Sequence, residues 1–536
     1  MMRTANPAPS RAAGTEPQAE GLYGVYVLAV LVLVYILNFV DRQLLSVLAE
    51  AIKRDLGISD ADLGFLFGTA FAVFYAVLGL PLARLADTWN RRTLIAAGLA
   101  VWSLMTALSG LARGFLPLAL CRFGVGAGEA SASPAAYSLL YDCFPPRVRT
   151  TVLAIYSSGV FLGQGIGLFL GGTLVSIWAR QWPDPSAAPL GLHDWQAAFM
   201  LVGTPGLLLA LWILTLREPI RGRLDGIETA PHPHPVRDAL AVLRAMIPPW
   251  SLMALIAQGR SRGPAWTNIA ILVGLGALVA LLVRATGDAE QWIALGAGAY
   301  AVVAWAQNLR LRDPDAFGQI FGAPALQLTV FGAAAANFML SGYGFWTVPY
   351  FQRQFGLSAA EAGLMVGGAT AAMGFVGVTI GGYAADQLRA RHVAGKLVVV
   401  LVSLIGSLAS AIWLLAGRDP DAAFHGTLSL LLFSSAGLGP CVSTLNDLVT
   451  PRVRATTSAF GFMVTYLVAG ALGPYLVGKV SDALAGGGVP PGEALGRAMA
   501  ASLLIPVAGV GLVLLAIRAL VRDASRHDRS AARRPL

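Results

Sequence analysis

Leu56-Gly57-Ile58-Ser59-Asp60-Ala61-Asp62-Leu63-Gly64 and Phe355-Gly356-Leu357-Ser358-Ala359-Ala360-Glu361-Ala362-Gly363 are two copies of one signal, about 299 residues apart. The same offset lays Asn38-Phe39 on Asn337-Phe338, Gly68 on Gly367 and Asp87 on Asp386. Further along, Pro146-Arg147-Val148-Arg149 recurs as Pro451-Arg452-Val453-Arg454, and Asp142 recurs as Asp447. Matches at a nearly constant offset make the chain an internal repeat.

Around these signals the chain is a series of apolar runs. Of 536 residues, 56% are hydrophobic and only 12% charged, about half the charge of a soluble protein. Each run comes close to the roughly 20 residues that cross a hydrocarbon core. Backbone polar groups in lipid must pair within the segment, so such runs become helices, and the continuous apolar character excludes the alternation of a β-barrel. The predicted helices are 22–49, 61–84, 93–112, 115–141, 152–178 and 195–216, then 326–350, 359–385, 397–416, 425–448, 456–479 and 494–517. A parallel repeat of six-helix halves predicts a path between the halves.

Residues 218–325 are long for a linker. The stretch from Arg217 to Arg262, with His232-Pro-His234-Pro, is polar and basic and is expected on the cytoplasmic side. Two apolar segments follow, 268–283 and 292–307, and predict an inserted transmembrane hairpin. The alternative is a pair of amphipathic surface segments. The full expectation is an all-α membrane protein of 12 + 2 helices. Its parts are a disordered tail (1–20), an N-terminal bundle (21–217), the linker with its hairpin, a C-terminal bundle (326–518) and a basic tail (519–536).

The net charge of +9 does not mark a nucleic-acid surface. Assigning loops alternately to two sides puts 27 of the 38 lysines and arginines on the side of both termini and 9 on the other. The remaining two, Arg42 and Arg122, fall inside helices. This positive-inside pattern predicts cytoplasmic termini, in a plasma (inner) membrane. Cys121, Cys143 and Cys441 lack any paired spacing. No nucleophile–base pair, metal-ligand spacing or phosphate-binding lysine loop is present, so neither an enzyme nor a cofactor is expected.

Three stretches carry a family resemblance. Asn38-Phe39-Val40-Asp41-Arg42-Gln43-Leu44-Leu45 resembles the N-Y-x-D-R pattern of Spinster-like proteins. Ala83-Arg84-Leu85-Ala86-Asp87-Thr88-Trp89-Asn90-Arg91-Arg92 is similar to the G-x-L-A-D-R-x-G-R-R loop of the major facilitator superfamily, departing at Ala83, Thr88 and Asn90. Arg122-Phe-Gly-Val-Gly126-Ala-Gly128-Glu129-Ala130-Ser131 resembles the fourth-helix segment of the Spinster-like group. The resemblance implies alternating access driven by an ion gradient and a lipid-like amphipathic substrate, such as a lysophospholipid or sphingoid compound. An organic-anion:proton symporter, a drug:proton exporter and a non-transporting receptor are the alternatives. The expected partners are the bilayer, protons and a small amphipathic or organic substrate, with the chain acting as a monomer.

Ionisable groups inside a membrane cost about 2.5–3.5 kcal/mol each on insertion scales and therefore need a partner or a task. Asp41 and Arg42 face this test on the first helix, and Arg122 and Glu129, two turns apart, on the fourth. The repeat places Leu340 and Ser341 opposite Asp41 and Arg42, so the scaffold does not require the charges. Glu129 is the candidate proton site, against the alternative of a permanent pair with Arg122 or Arg42. Asp87, Arg91, Arg92 and Arg149 are the candidate conformational latch. Candidates for the substrate cavity are Asn38, Tyr75, Gln164, Asn337, Tyr343, Trp346, Asn446 and Tyr466. Gly159, Gly163, Gly167 and Gly171 form a four-spaced ladder expected to serve close helix packing.

Overall fold

A computed structural model describes residues 17–222, 224, 233–258 and 262–531. His232 and most of the predicted N-terminal tail lie outside that range. The described residues are helical, with no strand among them. The first half contains α1 (Pro17–Leu56), α2 (Asp60–Thr88), α3 (Arg91–Ser109), α4 (Phe115–Glu129), α5 (Ala132–Cys143), α6 (Pro146–Gln181) and α7 (Asp194–Ile213). The central segment contains α8 (Pro235–Arg244), α9 (Trp250–Gln258), α10 (Gly263–Thr286), α11 (Ala289–Arg312) and α12 (Pro314–Phe321). The second half contains α13 (Pro324–Phe355), α14 (Ala359–Arg391), α15 (Gly395–Ala416), α16 (Pro420–Asp447), α17 (Pro451–Gly486) and α18 (Pro491–Arg522).

Local chemistry sets these boundaries, and the repeat is visible in it. Gly57 and Gly356 end α1 and α13 at φ +64° and +67°, a conformation that costs glycine little. Two residues on, Ser59 and Ser358 cap α2 and α14. Each is closed reciprocally by the acid three residues later, Asp62 or Glu361, in a capping box. The predicted helix 115–141 is two helices, broken at Ala130–Ser131, and α16 is broken correspondingly at Gly437. Among the described residues, twelve helical runs are long and apolar enough to cross a membrane. They include α10. Neither α11 nor the α4–α5 pair is among them, because the first is less apolar and the second is interrupted.

The linker departs from a simple polar connection. α8 packs along α2, and Met246 and Ile247 join a cluster with Val73, Ala76 and Ala301. Ser251 bonds Tyr300 at 2.8 Å, Asn308 donates to the Ala245 carbonyl at 3.1 Å, and Gln258 bonds Asn308 at 3.3 Å. α8 and α9 therefore form a V whose apex reaches the level of Tyr300 on α11. At the other end, the predicted basic tail continues the last helix to Ala531.

The glycine ladder of α6 packs on α1. A Cβ on Gly163 would meet the Ile36 carbonyl oxygen at 2.5 Å, and one on Gly167 would meet Val40. The intervening glycines serve the other half. Gly165 and Gly172 lie against Gly367 and Ala359 of α14, leaving no room for a side chain. A second seam joins α2 to α17, where Cβ atoms on Gly64 and Gly68 would meet the Pro474 and Gly470 carbonyls at 2.5 and 2.6 Å. Backbone contact this close makes both seams tight.

These seams close the half of the molecule away from the termini. Above them Arg353 binds Glu50 at 2.7 Å and both oxygens of Asp60 at 2.6 and 2.8 Å. Asp60 also receives Lys53 and the Ser481 hydroxyl, the latter at 2.8 Å. Asp482 accepts from the backbone N–H groups of Asp60 and Ala61 at 2.9 and 2.8 Å, capping α2 from the other half. The side away from the termini, the outer side if the termini are cytoplasmic, is shut, and the central cavity lies below it.

Candidate functional site

The central cavity, about 350 Å³, is lined by α1, α2, α6, α13, α16 and α17. Most of its wall is apolar, with a few neutral polar groups that include Gln43, Gln164, Asn337, Ser341 and Ser458. Among the described residues, Arg42 is the one charged group on that wall.

Arg42 is held from three directions. Its Nη2 donates to Glu129 Oε2 at 2.6 Å. Its guanidinium lies 4.1 Å from the Phe71 ring centroid, 4.8 Å from Phe39 and 5.7 Å from Tyr75, so aromatic faces supply cation–π attraction. Its Nη1 reaches Tyr466 Oη of the second half at 3.5 Å. The side chain keeps 12% exposure toward the cavity, whereas Glu129 behind it has none.

Asp41 and Arg122 sit deeper, both fully buried. Neither Asp41 oxygen nor any Arg122 nitrogen has a hydrogen-bond partner among the described residues. The Trp102, Ser103 and Thr106 polar atoms around them are also unpartnered. Asp41 lies among Trp102, Thr106, Arg122 and Glu129. Buried polar atoms without partners are rare and costly, which sets this group apart from the packed core around it. Of the two predicted partners for Glu129, Arg42 is the one that bonds it. Asn38 lies beside Glu129 and does not line the cavity.

Other predicted cavity residues divide. Gln164, Asn337 and Tyr466 line it. Tyr75 stands behind Tyr466, ring centroids 4.5 Å apart. Tyr343 and Trp346 are fully buried, spending their polar atoms on the Met499 and Pro474 carbonyls, each at 2.8 Å. Asn446 accepts from Ser458 Oγ at 3.0 Å at the inner end of α16 and is not on the wall. Three π turns shape the site: Phe65–Thr69 in α2, Met339–Tyr343 in α13 and Tyr466–Gly470 in α17. Such turns concentrate at functional sites, and the one in α17 begins at the tyrosine that reaches Arg42.

The loop residues gather at the inner end of the first half. Arg91 is fully buried and binds Asp142, Glu218 Oε1 at 2.7 Å, and the Ser138 and Pro219 carbonyls, each at 3.0 Å. Arg92 donates to the Leu216 carbonyl at 2.6 Å, and Arg149 to that of Phe144 at 2.9 Å. Lys396 repeats the Arg91–Asp142 pair in the second half, meeting Asp447 at 2.7 Å. Arg221 donates to the Ala86 and Asp87 carbonyls at 2.7 Å. Burial, and then the neighbouring charge of Arg91, hold its pKa below the usual guanidinium value. Asp87 is exposed and forms no ion pair among the described residues. None of the bonds named here crosses to the other half.

Missing from the sequence reading were the outer cluster of Asp60, Arg353, Glu50, Lys53 and Asp482, and the aromatic cage of Phe39 and Phe71. Asp60 has Ala359 as its repeat counterpart, the same kind of asymmetry that drew attention to Asp41.

Comparison with known proteins places this geometry. The Major Facilitator Superfamily profile matches residues 31–474. An MFS-type efflux pump of Mycolicibacterium smegmatis is 29% identical over 90% of this chain and 89% of its own length. Protein spinster homolog 1 of Homo sapiens is 26% identical over 88% of this chain and 75% of its own. A bacterial homologue of the human lysosomal transporter Spinster, solved inward-facing and unoccupied, aligns with a TM-score of 0.71 and 26% identity, covering 95% of this chain and 99% of that one.

Proposed function

This chain belongs to the major facilitator superfamily as a Spinster-like transporter, and from that premise we propose that it couples protons to the movement of a lipid-like amphipathic solute by alternating access. The reading is carried by Arg42, the single charge on an otherwise neutral cavity wall, with Glu129 directly behind it. An anionic headgroup entering from the inner side would take over Arg42, while the apolar wall receives the tail. Glu129, then without its cation in a desolvated place, carries a proton in place of charge. Asp41 and Arg122 lie buried beside this pair and balance the charge that the exchange leaves. Substrate and proton thereby load together.

Tyr466 ties the second half to this exchange, because displacing Arg42 breaks its contact. The outer seal then opens at the Asp60–Arg353 cluster and the two glycine seams. Asp87, exposed while the inner side is open, is the latch residue expected to find a partner when that side closes. Similarity to the mycobacterial efflux pump favours a second reading, export of hydrophobic organic compounds through the same cavity.

The charge bias supports cytoplasmic termini and a plasma (inner) membrane location. The hairpin belongs in the bilayer as well. α10 is 24 residues long and its most apolar window is 0% buried by protein, so lipid is the solvent that suits it. At about 1.5 Å per residue it spans about 36 Å, enough to cross. Proteoliposomes carrying an internal pH dye test the main reading. Addition of a lysophospholipid should acidify or alkalinise the lumen with wild-type protein and leave it unchanged with Glu129→Gln; equal responses from both would remove Glu129 from coupling.

A further inference from the structure

The cavity of about 500 Å³ between the hairpin and α2 belongs to neither the transport path nor the outer seal. Its walls are Phe74 and Val77 of α2, Leu272 and Gly276 of α10, and Ala297 of α11, with Ile247 at the apex of the α8–α9 V as its floor. Tyr300 also borders it, but its hydroxyl is engaged by Ser251 and Asn268 at 2.8 and 2.7 Å. Phe74 is 38% and Leu272 40% exposed, so the cleft opens at the protein surface. Where α10 and α11 cross, a Cβ on Gly296 would meet Val279 at 2.5 Å, which closes the cleft at its outer end.

The inner end of this cleft is basic. Exposed Arg244 follows the lining residue Leu243, and the Ala245 carbonyl is bonded to Asn308, which fixes that level on α11. Arg312 follows within about a turn on the face that Ala301 occupies, exposed, with its Nε donating to Gln258 at 2.9 Å. Trp266, two residues from Asn268, which bonds Gln307 at 2.6 Å, is 67% exposed nearby, the residue type that marks a membrane interface. From Arg312 to Ala301 of the cleft is eleven residues, three turns along one face and about 16 Å, within reach of one acyl chain. We propose that the cleft binds an anionic phospholipid of the inner leaflet, its headgroup against Arg244 and Arg312 and one acyl chain against Gly276 and Ala297. The bound chain packs the hairpin against α2.

The proposal rests on the hairpin lying in the bilayer, and the two can fail separately. Full-length protein in detergent is titrated with phosphatidylglycerol and phosphatidylcholine of the same chains and read by native mass spectrometry. One phosphatidylglycerol should bind in preference to phosphatidylcholine. A preference of roughly fivefold per basic residue is expected, from about 1 kcal/mol each, and Arg244→Gln with Arg312→Gln should abolish most of it. A Cβ at Gly276 or Gly274 meets nothing within 4 Å, and only Gly276 lines the cleft. Gly276→Phe should therefore remove binding of both lipids while Gly274→Phe leaves it intact. Ala297→Leu, a smaller filling, should weaken binding if Gly276→Phe misfolds. Equal retention by the Gly276 and Gly274 variants, or no headgroup preference in the wild type, overturns the proposal. Glu290→Cys in a cysteine-free background should react with an impermeant maleimide from the outer face. Labelling only from the cytoplasmic face would overturn the hairpin reading, whatever the lipid titration shows.

Discussion

Replacing Arg353 by glutamine should shift the protein from the form closed on the side away from the termini toward the form open on that side. Arg353 is 6% exposed and holds Asp60, 2% exposed, through two charge-assisted bonds, with Glu50 as a third acceptor. Breaking a buried pair by removing one partner costs about 3–5 kcal/mol. Lys53, Ser481 and the partial exposure of Glu50 reduce this, so about 2–3 kcal/mol is expected for the closed outer seal. When that seal is open, both groups are hydrated and the substitution costs little. A difference of about 2–3 kcal/mol moves the equilibrium between forms by roughly 30- to 150-fold. Spin labels at Arg180 and Arg497, on the outer rims of the two halves, report it by pulsed electron-electron distance measurement. The long-distance population should rise sharply in Arg353→Gln. An unchanged distribution, or a shift to shorter distances, would refute the assignment of this cluster as the outer seal.

Gly172→Val should act in the same direction, because a Cβ there overlaps the Ala359 carbonyl across the α6–α14 seam; the same spin-label pair should show loss of the short-distance population. Arg91→Met removes a fully buried guanidinium that binds Asp142 and Glu218, and should lower folding stability by about 3 kcal/mol or more, read as a fall in Tm in detergent with no change in the ratio of conformers among folded molecules. Tyr466→Phe deletes only a long hydroxyl contact to Arg42, and should change transport less than tenfold, while Tyr466→Ala, which also strips the ring from Tyr75, should reduce it further in the same uptake assay.

The repeat made the fold legible, since Leu56–Gly64 and Phe355–Gly363 mark the same helix junction in each half. Runs such as Leu22–Leu56 and Gly395–Ala416 were readable because bilayer helices must be both apolar and long. The breaks at Ala130–Ser131 and Gly437 were not, because a turn buried among helices keeps an apolar sequence. The V of α8 and α9 was also hidden. Its arginines suggested a solvated linker, although their charges sit on one face of a helix whose other face packs against α2. At the candidate site, symmetry-breaking drew attention to Asp41 and Arg42 and depth to Glu129, and the structure pairs Arg42 with Glu129 beside the cavity. Tyr343 and Trp346 were misleading, since a buried aromatic satisfies its polar atom on backbone as readily as on a ligand. The outer cluster escaped because Arg353 and Lys53 counted as loop charges, and only tertiary packing brings them to Asp60.

The central claim is that substrate and proton meet at Arg42 and Glu129. Its most direct measurement is proton uptake or release by purified wild-type protein on binding a lysophospholipid in weakly buffered detergent solution. Proton uptake on binding, absent in Glu129→Gln while the lysolipid still binds, is the predicted result; binding with no proton exchange in the wild type would contradict it.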